Sequence, residues 1–534
     1  MYNHAQWTSS TDGAHGARYA AVLPLLAILY FLYCALRRSW MTVKISGPPS
    51  SSWLFGHMRE LILTPTYGEY EFEWLRKYGA VYRIKACFGE TRIMVSDPAA
   101  MQFILMSGHF GTGPTLENGA RLLYADGSVF RAKEEEHKRL RAGLNAGFSA
   151  GAVRKYLPIF ERAAHSLTQH FEHLSGELID VVPPFGRATL GTTSEAILGY
   201  SVDDLGDDFI TNNLQLLSLA SSQSPSGIIF DGLSRWIPPS IYETAIYLPV
   251  APFTILRRAK NLAHELGKTV VEGIINAMRQ KLENTGGFYG ELVEQHHAAD
   301  GKRTLNKRDI IAQTSLILIA GQDTTANTLA FGLVELAQNP GLQEKLRIEI
   351  HDALSNSSGR DIAYENMPLL KAFIKEVLRM YPAEVFSDRV ALQDTVLPLS
   401  EPITTSDGKQ ISQLPIPKGQ ILMFAIASYQ RLQSRWGEDA DTFRPSRWLD
   451  GGGVSKGEAM GPYANLLTFL GGSHTCLGWR FALLELQVFI CELVGKFEFS
   501  LPPEGPARCR YGGTLLPALP DGKKGAVLRV KRVM

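Results

Sequence analysis

Residues Phe469 to Gly478 read Phe-Leu-Gly-Gly-Ser-His-Thr-Cys-Leu-Gly, and the run that follows, WRFALLELQVFICEL, has the make-up of a buried helix. A lone cysteine in a loop that leads into a helix has free backbone amides within reach of its sulfur, which favours the thiolate. The glycines at 471, 472 and 478 predict a backbone that can approach a flat ligand closely. A metal-bound thiolate at Cys476 is the simplest reading of this segment.

The rest of the chain suits such a site. It has 534 residues, 45% hydrophobic and 20% charged, the composition of a globular protein with a large core. Lys and Arg number 54 against 53 Asp and Glu, so no strong net field exists to recruit nucleic acid. The five cysteines, at 34, 87, 476, 491 and 509, are widely spaced and odd in number, which argues against a disulfide framework and for a reducing compartment. His296-His297 has no partner at metal-ligand spacing and reads as a solvated helix end.

Upstream, Asn306–Gln338 contains no proline and is apolar on nearly every face, which predicts a helix of roughly 50 Å through the core. Gly321-Gln-Asp-Thr-Thr325 interrupts its most hydrophobic part. Glycine and threonine are poor helix-interior residues and a buried aspartate is costly, so stability alone explains this cluster poorly. Ala80–Ala86 and Thr91–Val95 alternate as a pair of strands, and long helical stretches follow. Tyr19–Leu36 carries no charge and is about the shortest run that spans a ~30 Å hydrocarbon core. Arg37 and Arg38 follow it directly, which places the remainder of the chain on the cytoplasmic side. The expected organisation is a lumenal tail at 1–18, a transmembrane anchor at 19–36, a basic and proline-rich hinge at 37–50, and one catalytic domain over 51–534.

The cysteine loop resembles the haem-binding loop of the cytochrome P-450 family, F-x-x-G-x-[RH]-x-C-x-G. Three further signatures stand in that family's order: Ala320-Gly-Gln-Asp-Thr-Thr325 is similar to its central-helix motif, Glu376-Val-Leu-Arg379 to its E-x-x-R, and Phe443-Arg-Pro-Ser-Arg-Trp448 to its meander. The resemblance, which covers essentially the whole chain, implies a mainly α fold with small β-sheets behind an N-terminal transmembrane helix. It also implies haem b with Cys476 as axial ligand, in a loop bounded by Phe469, Gly471 and Gly478. The haem propionates then fall to His137, Arg141, Arg389 and His474. His137 stands where many members have Trp and His474 where many have Arg, but both keep a hydrogen-bond donor. Glu376, Arg379 and Arg447 form the expected buried triad.

The activity implied is insertion of one oxygen atom from molecular oxygen into a lipophilic small molecule, with Asp323 and Thr324 supplying protons through ordered water. Gly321 leaves a gap in the helix in which oxygen is expected to sit. No strand-linked G-x-G-x-x-G is present, so electrons are expected from a separate NADPH-dependent reductase, with Arg480 one candidate contact. Two other functions fit the haem-thiolate pattern: an isomerase or dehydratase that does not use oxygen, and a haem-binding sensor without turnover. The Asp323-Thr324 pair favours the monooxygenase over both. Likeness to fungal microsomal members of secondary metabolism implies the endoplasmic reticulum membrane and a bulky, mostly uncharged substrate such as a terpenoid. The cavity is expected to be lined by the mainly apolar segments Phe110–Tyr124, Ile228–Leu233, Leu316–Ala320, Ala383–Phe386 and Thr514–Leu516.

Overall fold

The apolar stretch after Asn306 forms one continuous helix, Lys307–Gln338, in the computed structural model, which describes residues 45–280, 287–298, 305–356, 364–449 and 459–533. Its start is fixed by a reciprocal cap. The Asp309 amide donates to the Asn306 side chain at 3.0 Å, and the Asn306 amide donates to the Asp309 carboxylate at 3.0 Å. Arg139 grips the same carboxylate at 2.7 Å and so ties the helix start to the helix Glu134–Leu144.

Other helices wrap this axis, among them Val182–Leu198, Ala251–Arg279, Pro368–Met380 and Trp479–Lys496. Their apolar faces merge into one core around Phe160, Phe185, Leu329, Phe373 and Phe489. The fold is mainly helical. Its sheets are small: one of five strands, one of three and two of two among the described residues. Val81–Lys85 pairs antiparallel with Thr91–Val95, with Val81 opposite Val95. Beyond them in the same sheet come Ile421–Phe424, Ser387–Ala391 and Phe110–Thr112.

The tail at 1–18, the apolar run at 19–36 and residues 37–44 of the hinge lie outside the described residues. Among the described residues no helix is long and apolar enough to cross a membrane. The last part of the hinge packs onto the sheet: Ile45 is buried and bridges Thr405, and the Arg83 amide donates to the Ser46 carbonyl at 2.9 Å.

Gly321 requires a correction. Its missing side chain is not room for oxygen, because a Cβ there would lie 2.5 Å from the Thr193 hydroxyl. Helix Val182–Leu198 approaches the central helix so closely at this point that only glycine fits.

The densest polar interior lies between helix Pro368–Met380 and the segment that ends at Trp448. Glu376, Arg379 and Arg447 have side chains with no exposed surface. Arg379 donates to both Glu376 oxygens, at 2.8 and 2.9 Å, and Arg447 donates to one of them at 2.9 Å. The Arg444 amide and the Trp448 indole each add a bond at 2.8 Å. Burial raises the Glu376 pKa, but the hydrogen bonds and charge of Arg379, the Arg444 amide and the charge of Arg447 outweigh it and leave the carboxylate below its usual range.

Two outcomes follow from this packing. Arg379→Ala leaves a buried carboxylate short of its main partner and should lower unfolding stability by about 3–5 kcal/mol in a denaturant titration; a loss under ~1 kcal/mol would mean an exposed pair. Gly321→Ala should destabilise the fold, and Thr193→Ala in the same chain should recover most of the loss. Failure of that rescue in thermal melts would show that the clash is not what excludes a side chain.

Candidate active site

The cysteine loop closes on itself. The Cys476 amide donates to the Phe469 carbonyl at 2.8 Å, which sets the sulfur at the start of helix Trp479–Lys496. Gly471 and Gly472 serve protein packing rather than a ligand, contrary to the sequence reading, whereas Gly478 leaves room for a Cβ. A Cβ at Gly471 would lie 2.4 Å from the Met460 carbonyl, and one at Gly472, where φ is +65°, 2.6 Å from the Leu105 carbonyl. At Gly478 a Cβ would meet only the Phe148 ring, at 3.9 Å.

Cys476 is exposed by area, yet what it faces is a cavity of about 310 Å³ lined by Arg141, Asn145, Phe148, Trp479 and Arg480. Burial is the strongest influence on the thiol and pushes its pKa up. The Gly478 amide and the Arg141 guanidinium act in the opposite sense and favour the thiolate.

Four donors gather beside the sulfur from three parts of the chain. His137 and Arg141 stand one turn apart on helix Glu134–Leu144, His474 comes from the cysteine loop, and Arg389 lies in strand Ser387–Ala391. The His137 and His474 rings lie 4.6 Å apart. Burial, followed by His137, Arg389 and Arg141, holds the His474 pKa down to about 4, and burial with Arg141 lowers that of His137. The Arg141, His137 and His474 side chains form no hydrogen bond or ion pair with any described residue. Such a group of mutually repelling donors calls for an anion, and the two propionates of a porphyrin match it in charge and number. These residues fit haem b, with Cys476 as its thiolate ligand.

The Gly321-Gln-Asp-Thr-Thr325 cluster divides by helix face. Ala320 keeps exposed area midway along a mostly buried helix, and the Thr324 hydroxyl donates to the Ala320 carbonyl at 2.8 Å. Asp323 turns away and pairs with Lys524 at 2.5 Å. Gln322 and Thr325 point into the packing. The Thr189 hydroxyl donates to the Gln322 backbone at 2.9 Å and Asn213 donates to its side chain at 2.7 Å, while Thr325 lies near Glu485.

Sequence reasoning passed over several of these partners. Lys524 sits 201 residues from Asp323 and carries no local signal. Trp448 appeared only as the last letter of a motif, although its indole binds the triad. Glu384 was counted within an apolar lining. It is instead a carboxyl group that is exposed by area yet has its pKa raised by burial, the combination expected of a side chain facing an internal chamber.

Comparison with known proteins agrees with this geometry. The family model described as cytochrome P-450 matches residues 46–522. Cytochrome P-450 monooxygenase 91 of Postia placenta is 30% identical over 86% of this chain and 88% of its own length. Cytochrome P-450 monooxygenase claP of Ampulloclitocybe clavipes is 29% identical over 96% of this chain and 98% of its own. With its cysteine loop, its anion-binding donors and its buried triad, the chain belongs to the cytochrome P-450 family and is a haem b-binding monooxygenase.

Proposed function

We propose that the protein inserts one atom of molecular oxygen into a bulky, lipophilic small molecule, a terpenoid being the first to try, with electrons from NADPH through a separate cytochrome P-450 reductase. The observation that carries this reading is the grouping of Arg141, His137, His474 and Arg389 around the Cys476 loop, with Ala320 exposed midway along the central helix. Its relatives claP and monooxygenase 91 are fungal monooxygenases by name, which supports the same reading.

Haem b held by Cys476 supplies the activation of oxygen. The chain's own residues do the rest. Arg141 and Arg389, with His137 and His474, would hold the propionates. Thr324, anchored by its bond to the Ala320 carbonyl, keeps its oxygen lone pairs free for a water molecule. Asp323, the next residue back, reaches toward Lys524 near the surface and is the route by which protons arrive at that water. An enzyme that only rearranged its substrate would need no such route, which favours the monooxygenase over an isomerase or dehydratase. Arg480, stacked 3.9 Å from the Trp479 ring at the mouth of the proximal cavity, offers a positive contact for the reductase.

The run Tyr19–Leu36 serves as a single anchor in the endoplasmic reticulum membrane, with the catalytic domain in the cytoplasm. Exposed Trp236, Ile241, Tyr247, Leu248 and Val250 cluster in one short segment and suit contact with lipid. A lipid-dissolved substrate would then enter without crossing water.

Cys476→Ala should abolish the thiolate-type spectrum of the ferrous carbon monoxide complex; its retention would remove the ligand assignment. Thr324→Ala should still bind haem and substrate but divert electrons to peroxide, lowering product formed per NADPH consumed by roughly tenfold or more. An unchanged ratio would exclude the relay.

A further inference from the structure

Tyr381-Pro-Ala-Glu-Val-Phe386 leaves the E-x-x-R helix because Pro382 cannot continue it, and the chain bends at Ala383 and Glu384 before the strand Ser387–Ala391 begins. The Leu515 amide donates to the Ala383 carbonyl at 2.8 Å and the Ala427 amide to the Val385 carbonyl at 2.9 Å, so this backbone is held on both sides of Glu384. Val385 is fully buried among Tyr67, Phe331, Ala427 and Leu515, whereas the side that Glu384 takes leaves it exposed by area.

On that side its charge reaches Tyr124, Tyr511 and Arg389, which come from three separate parts of the chain. Neither phenol hydroxyl has a hydrogen-bond partner among the described residues. The Ser387 hydroxyl lies near Glu384 and favours its charged form. Arg389 is engaged elsewhere, donating to the Ser387 hydroxyl at 2.7 Å and the Asp388 carbonyl at 2.8 Å. Asp388 in turn accepts from the Thr115 and Leu116 amides. Among the described residues no guanidinium or ammonium forms an ion pair with Glu384.

We infer that Glu384 contacts the substrate and selects an otherwise apolar molecule that already carries an alcohol, with its carboxyl group and the substrate hydroxyl exchanging a pair of hydrogen bonds. This rests on the lipophilic-substrate reading above and narrows it. Burial, opposed by Arg389 and Ser387, raises the carboxyl pKa, which favours the protonated form that donates as well as accepts. Against a plain hydrocarbon it would be left unpaired, and a buried polar group without a partner discriminates more strongly than a gap in an apolar wall.

Spectral titration of the haem-loaded full-length protein tests this with three ligands of one sesquiterpene-sized skeleton: the hydrocarbon, its alcohol, and a trimethylammonium analogue that cannot ligate iron. The alcohol should bind roughly tenfold tighter than the hydrocarbon. Glu384→Leu should bring the alcohol down to the hydrocarbon, and Glu384→Gln, which keeps a donor and an acceptor, should preserve most of the difference. The carbon monoxide spectrum of each variant checks that haem and fold are intact. Equal affinities for alcohol and hydrocarbon, or a preference that survives in Glu384→Leu, would overturn the inference. So would a preference for the ammonium that Glu384→Gln removes, since that describes an ionised carboxylate. If none of the three shifts the spectrum of the unaltered protein, the lipophilic-substrate reading itself fails.

Discussion

The Glu376 carboxylate, without exposed surface and bound by two guanidiniums, an indole and an amide, fixes the geometry on which the haem site depends. Removing three charged groups from water is expensive, and their mutual attraction returns little net stability, so their effect is chiefly on position. That position is transmitted by a short chain of bonds. Arg379 donates to the Gln430 carbonyl, and the Gln430 amide donates back to the carbonyls of Leu378 and Arg379. The same Gln430 side chain accepts from the Leu467 amide and the Thr468 hydroxyl, immediately before Phe469, whose carbonyl holds Cys476. The thiolate is thus set by a polar lattice that begins about a hundred residues earlier in the chain, and mispositioning any member would move the sulfur.

The central helix meets the opposite demand, since it is packed on most faces yet keeps exposed area on one. Its polar residues sort accordingly. Thr324 and Thr325 are adjacent in sequence and face different ways, as neighbours on a helix must. Thr324 lies on the side that keeps exposed area, whereas Thr325 lies near Glu485 on the cysteine-loop helix. Burial pushes the Glu485 pKa up to about 8, against the influence of Thr192 and Thr325, so at neutral pH this acid is largely uncharged, with its hydrogen bond from Thr192 tying helix Val182–Leu198 to helix Trp479–Lys496. Gly321 belongs to the same seam. The motif that reads as one catalytic cluster is part chemistry and part packing.

This division marks what could be read from sequence. The cysteine loop, the central helix, the E-x-x-R pair and the first two strands declare themselves through local spacing and periodicity, and local spacing is enough to fix a helix face or a strand pair. Gln430, Lys524 and Glu485 meet their partners only after the chain has folded back over tens to hundreds of residues, and a single polar residue in a loop or helix gives no sign of where it will dock. The glycines were misjudged for a related reason. A glycine signals that a side chain is excluded but not by what. At 321, 471 and 472 the obstacle is protein, namely the Thr193 side chain and the carbonyls of Met460 and Leu105.

Glu384 extends the same argument to charge. From composition, an acidic residue beside a proline reads as a solvated loop position, which is where most glutamates lie. In the folded chain it follows helix Pro368–Met380 and precedes strand Ser387–Ala391, two elements that the triad and the sheet hold in place, so its direction is imposed by neighbours that serve the haem. Arg389, five residues further on, acts on His474 among the propionate donors, while Glu384 acts on the phenols of Tyr124 and Tyr511. On the reading proposed above, one short segment thus carries a cation toward the propionates and a carboxyl group toward the substrate, held in place by the bonds at Ala383 and Val385.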